Sequence, residues 1–125
     1  MNSLELAPQI EELYKLNDFI NEIIGKQDFQ VDLILEEVFV NIVNYSKTDS
    51  IRVNSSFENS ILTLEFIDDG VEFNPLLNED PKMPESIEDA EVGGLGIHLT
   101  KELSDDIEYD RIADENHLKI TKKVE

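Results

Sequence analysis

Apolar side chains recur every three or four positions over 9-QIEELYKLNDFINEII-24, at Ile10, Leu13, Leu16, Phe19, Ile20, Ile23 and Ile24. That spacing predicts a helix, and Gly25 stands where a C-terminal cap belongs. A second helix is expected over 30-QVDLILEEVFVNIVNY-45. The pattern then changes period. Both 51-IRVNSSFE-58 and 61-ILTLEFID-68 alternate apolar and polar residues, and Asn59-Ser60 between them predicts a β-hairpin. Residues 71 to 92 carry three of the four prolines and no clear period, which reads as a long loop. Helix is expected again from about Gly96 to Ser104. Two further strands, 106-DIEYDRI-112 and 117-HLKITKKV-124, close the chain around a turn at Asp114-Glu115. This order places helices on one face of a mixed, mainly antiparallel sheet, an α+β class fold.

The 125 residues suit one domain with a single core. No stretch approaches the roughly 18 consecutive apolar residues of a membrane span, and the first residues lack the plan of a signal peptide, so the expected compartment is the cytoplasm. Cysteine is absent and only His98 and His117 are histidines, which argues against a thiolate or zinc centre. The formal charge is −19, with acidic residues crowded at 79–91 and 105–115. A field of that sign repels nucleic acid and anionic membrane and favours a basic protein partner. Solubility alone would explain it equally well.

The second helix is apolar around most of its circumference, which implies burial against more than one element. Glu37, Asn41 and Asn44 nevertheless share one narrow face, at spacings of four and three residues. Glu36 points elsewhere and is expected in solvent. Buried groups of this kind need partners, which backbone or water could supply as well as a ligand. As a functional set, Glu37 could act as a general base, and Asn41 could offer a neutral oxygen to Mg²⁺. Strand 61–68 ends in 68-DDG-70, where Asp68 could shape the turn or accept a hydrogen bond from an exocyclic amine. Gly70 would let a ligand lie against bare backbone. In 93-GGLG-96, three glycines at a loop-to-helix junction present backbone N–H groups suited to phosphate, or else serve as a hinge.

Together, 37-EVFVN-41, 68-DDG-70 and 93-GGLG-96 resemble the N, G1 and G2 boxes of the GHKL ATPase superfamily, whose members share the Bergerat, histidine kinase-like ATPase fold. The resemblance covers about residues 9 to 124. The short length, the DDGVEFNP turn and the run GGLGIHLTKEL look most like the anti-sigma factor serine/threonine kinases. The resemblance implies a two-layer α/β sandwich forming a single domain over 1–125, with an ATP lid at about 76–92. It implies ATP and Mg²⁺ as cofactors, Glu37 as catalytic base and Asn41 as metal ligand. Asn41, Asn44, Asp68, Gly70, Gly93, Gly94, Leu95 and Gly96 would contact ATP. It further implies a STAS-type anti-sigma factor antagonist as phosphorylation substrate, a sigma factor as second partner, and a homodimer as an assembly to test. Where family members often carry Thr before the box Asn and His four residues after it, this chain has Val40 and Tyr45. The alternative expectation is a non-catalytic nucleotide-binding module that sequesters a partner. No helix with a phosphoacceptor histidine stands before the first helix, so a sensor histidine kinase is not the expected reading. His98 is expected in packing or at the surface.

Overall fold

The computed structural model describes residues 2–72 and 100–124. Strand β1 (Asn2–Leu6) leads through a 3₁₀ turn (Ile10–Glu12) into helices α1 (Leu13–Ile24) and α2 (Phe29–Tyr45). Strands β2 (Ile51–Glu58) and β3 (Ile61–Asp68) follow, and β4 (Asp106–Ile112) and β5 (Glu115–Lys123) close the chain. The sheet order is β1-β2-β3-β5-β4. Every pairing among the described residues is antiparallel, so the parallel component of the expected mixed sheet is not seen there.

Local chemistry accounts for the boundaries. Asp28, in extended conformation, caps α2 by accepting a 3.0 Å hydrogen bond from the Val31 N–H. Gly25 ends α1 at φ 77°, with its N–H on the Asn21 carbonyl at 2.9 Å. Positive φ at Asn59 and Ser60, and again at Ala113 and Asp114, turns the two hairpins in the sense that matches strand twist.

The strand alternation sorts the sheet into two faces. Leu6, Ile51, Val53, Leu62, Leu64, Phe66, Leu118 and Ile120 point to one side, where they form one core with Leu16, Ile20, Val31, Ile34, Leu35, Val38 and Phe39 of the helices. This is a two-layer α/β sandwich. The intervening residues, among them Arg52, Glu65, Lys119 and Thr121, lie on the face away from that core. Among the described residues no helix is long and apolar enough to cross a membrane.

Three expectations are corrected. Strand β1 was not anticipated; it pairs antiparallel with β2, Leu4 opposite Val53 and Leu6 opposite Ile51. The last turn lies at Ala113-Asp114 and β5 starts at Glu115, which brings Asn116 into the strand. The first helix opens with a 3₁₀ turn. The expected helix from Gly96 is described only over residues 100–103, which are helical. The loop of 71–92 is described only at Val71 and Glu72, and the lid expected at 76–92 lies outside the described residues.

Replacing Asp28 by Ala removes the α2 cap and is expected to cost about 1 kcal/mol in a urea denaturation. An unchanged midpoint would mean that the cap contributes nothing to folding.

Candidate functional site

The site is built on the C-terminal half of α2 and the end of β3. On α2, Asn41 is buried at 4% exposure, Glu37 is half-buried one helical turn earlier, and Glu36 is exposed as expected. Asn44, placed with Glu37 and Asn41 by spacing, is exposed, so the stripe is half-buried at Glu37, buried at Asn41 and in solvent at Asn44. Glu37 makes no hydrogen bond among the described residues. Its pKa is raised above the ordinary 4.5, first by burial and then by the like charge of Glu36.

Asp68 ends β3 on the helix-facing side of the sheet, at 4% exposure. Three donors converge on its Oδ1: the Ser46 hydroxyl at the C-terminal end of α2, the Gly70 N–H at 3.0 Å and the Asn116 carboxamide at 3.0 Å. Among the described residues Oδ2 accepts no hydrogen bond. The turn after Asp68 is held against α2, because Val71 N–H donates to the Ser46 carbonyl at 2.7 Å. Next to it, Thr48 donates to Asp69 Oδ1 at 2.7 Å.

The packing at Gly70 revises the reason for glycine there. A Cβ would collide with the carbonyl and hydroxyl oxygens of Ser46. The direction of a side chain is therefore filled by α2, not left open for a ligand, and the glycine is required by the close approach of helix and turn.

Asn116, Arg111 and Tyr109 complete the surroundings, and none was singled out by sequence. Asn116 stands directly opposite Asp68 in the β3–β5 register, and Arg111 opposite Asn116 in the β4–β5 register. Besides its bond to Asp68, Asn116 Nδ2 donates to the Val71 carbonyl at 2.8 Å. Its Oδ1 accepts from Tyr109 Oη at 2.5 Å and from Arg111 Nη1 at 3.1 Å. Arg111 Nη1 also donates to the Gly70 carbonyl at 2.9 Å. The helix-facing alternation of Tyr109 and Arg111 was readable; the register that brings them to Asn116 depended on the position of the turn. Thr121 lies five residues along β5 and on the other face, and exposed Lys119 shares that face, so neither approaches Asp68.

Gly93, Gly94, Leu95 and Gly96, with His98, lie outside the described residues. Among the described residues no group of three or more His, Cys, Asp or Glu is arranged to hold a metal ion. The Asn41 carboxamide could supply an oxygen to Mg²⁺, an ion that takes most of its ligands from water and phosphate. A buried carboxylate with one oxygen fully engaged and the other without a hydrogen bond fits a ligand that brings an N–H donor, as an adenine amine does.

Two outcomes follow from this geometry. Gly70→Ala should destabilise the fold by about 1–3 kcal/mol, read from urea denaturation, because backbone at Ser46 must move; no change would mean that the turn does not pack on α2. Glu37 carries a raised pKa, so its contribution to stability is present below 4.5 and is lost as pH rises through the folded value. The urea midpoint of Glu37→Gln should therefore match the wild type near about pH 4 and exceed it at neutral pH. A difference independent of pH would remove burial as the cause.

Comparison with known proteins agrees with the architecture. The sequence family described as histidine kinase-like ATPase domain matches residues 10–122. No curated protein is similar enough to count as a match. Among solved structures, the histidine kinase domain of the blue-light activated histidine kinase of Erythrobacter litoralis EL346 aligns with a TM-score of 0.51 at 17% identity. That alignment covers 92% of this chain and 60% of the other. The histidine kinase AdeS of Acinetobacter baumannii aligns with a TM-score of 0.55 at 12% identity, over 99% of this chain and 68% of the other. At such identities the two structures speak for the fold, and the family match, which takes in the EVFVN helix, the DDG turn and the closing hairpin, shows that this chain belongs to the histidine kinase-like ATPase domain family.

Proposed function

We propose that this ATPase-family domain is an ATP- and Mg²⁺-dependent serine/threonine protein kinase that controls a sigma factor by exchanging partners. The observation that carries the nucleotide part of this reading is the junction of α2 with the DDG turn. Ser46 bonds to Asp68, so the helix bearing Glu37 and Asn41 is fixed to the carboxylate suited to a base amine. When bound, ATP supplies the transferable phosphoryl group, and Mg²⁺ offsets the charge that develops on it.

The residues of the chain divide the remaining work. Asp68 Oδ2 accepts from the exocyclic amine and orients the base. Asn41 offers its carboxamide oxygen to the metal. Glu37 takes the proton from the target hydroxyl; burial and Glu36 raise its pKa, which strengthens it as a base. The serine/threonine specificity, the STAS-type antagonist and the sigma factor rest on the resemblance of the GGLGIHLTKEL and DDGVEFNP runs to the anti-sigma factor kinases. The charge of −19 supports a basic partner. A second reading, a module that binds nucleotide and sequesters its partner without phosphorylating it, is favoured by Val40 and Tyr45, which lack the hydroxyl and imidazole common in the family.

Calorimetric titration of ATP should show saturable binding with Mg²⁺ that weakens in EDTA. Absence of binding by the folded protein would overturn the nucleotide assignment. Glu37→Gln should bind ATP within about twofold of the wild type and lose label transfer from γ-labelled ATP to STAS-type antagonists, a step that general base catalysis accelerates by about 10²–10⁴-fold. Wild-type binding without transfer would favour the sequestering module, and equal loss of binding and transfer in the variant would remove Glu37 as the base.

A further inference from the structure

We infer that Asn116 is a positioning residue for base recognition: with Tyr109 and Arg111 it fixes Asp68 so that only Oδ2 is offered to the purine. The inference rests on the nucleotide part of the proposed function and adds residues from β4 and β5 to it.

The hydrogen-bond capacity of Asn116 is fully spent. A carboxamide has two N–H donors and an oxygen with two lone pairs. The donors go to Asp68 Oδ1 and the Val71 carbonyl, and the oxygen accepts from Tyr109 Oη and Arg111 Nη1. Nothing on this side chain is left for a ligand, so it acts through Asp68. Each bond also fixes the next. Tyr109 and Arg111 both present N–H or O–H to one oxygen, so the carboxamide cannot flip without setting donor against donor. Its Nδ2 is thereby held toward Asp68.

The same hairpin holds the backbone that follows. Asn116 takes the Val71 carbonyl and Arg111 takes the Gly70 carbonyl, so both peptide oxygens of the turn point to β4 and β5. The Gly70 N–H is left aimed at Asp68 Oδ1. With that oxygen receiving three donors, rotation of the carboxylate would break bonds to α2, to β5 and to its own turn together. Oδ2 is left as an acceptor at a fixed place. An acceptor so held rewards an amine at the purine 6-position and penalises a carbonyl there, which is the difference between adenine and guanine.

Two variants separate this role from general stability. Asn116→Asp is isosteric and keeps the acceptor for Tyr109 and Arg111, but replaces the donor to Asp68 by a second carboxylate oxygen. Tyr109→Phe removes one hydroxyl and leaves the carboxamide less firmly oriented. Amide hydrogen exchange on the ligand-free protein is the first readout. In Asn116→Asp the Gly70 and Val71 amides should exchange at least about tenfold faster, with the Leu64 amide in mid-β3 unchanged, and Tyr109→Phe should do the same to a smaller extent. The second readout is titration with ATP and with GTP, where the preference for ATP should fall by about tenfold in Asn116→Asp.

Acceleration shared equally by Leu64, or none at Gly70, would make Asn116 a residue of fold stability and overturn the inference. So would selective acceleration with an unaltered ATP-to-GTP ratio. If the wild type binds neither nucleotide, the proposed function falls and the recognition inference with it, while the exchange data still decide whether Asn116 positions Asp68.

Discussion

A buried carboxylate that forms no ion pair among the described residues governs the arrangement of this domain. Asp68 lies at the end of a central strand, and its Oδ1 is answered by three neutral donors from three directions. Burying such a group is costly unless its lone pairs are met. Meeting them requires that the end of α2, the turn after β3 and the start of β5 come within hydrogen-bond reach of one point. The glycine at position 70 follows from this convergence, since no larger residue would let the turn close on Ser46.

The far end of the same strand pair carries a second buried polar tie. Lys122 is 8% exposed, and its Nζ donates to Gln30 Oε1 at 2.9 Å and to the Leu103 carbonyl at 2.8 Å. Gln30 is in the first turn of α2, whereas Ser46 follows its last residue. Strand β5 is thus linked to both ends of α2, through Lys122 at one and through Asn116 and Asp68 at the other. The dimensions agree. Six residues of strand rise roughly 20 Å, and sixteen of helix roughly 24 Å. Between these ties the contact is apolar, and Leu118 and Ile120 share the core with Ile34 and Val38.

What could be read from sequence was whatever depends on neighbours in the chain. The periodicity of α1 and α2, the alternation in β2 and β3, and the exposure of Glu36 are local properties, and all were legible. Strand β1 was not. NSLEL is five residues with apolar groups only at Leu4 and Leu6, too short for a period to stand out, and its strand character comes from pairing with β2. The last turn was displaced because Ala113 is an unusual residue at φ 51°, whereas Asp114-Glu115 has a more turn-like composition. At the site, the shared face of Glu37 and Asn41 was legible because helical spacing is local. The contacts of Asp68 with Ser46 and Asn116 span 22 and 48 residues and depend on a register that no local pattern supplies.

The buried lysine shows why polar ties are used where apolar packing would be less costly. An ammonium held by an amide oxygen and a carbonyl recovers less than one facing a carboxylate, so Lys122 contributes little to net stability after desolvation. Its value is geometric. A methionine could fill the same volume, but Leu103 O would lose its cation at the end of helical residues 100–103, and Gln30 Oε1 its donor. Apolar contacts would let that segment slide over α2 at small cost, because dispersion has little direction. Two directed hydrogen bonds from one long side chain set its position along the helix. Through Gln30, those bonds tie helical residues 100–103 to the first turn of α2.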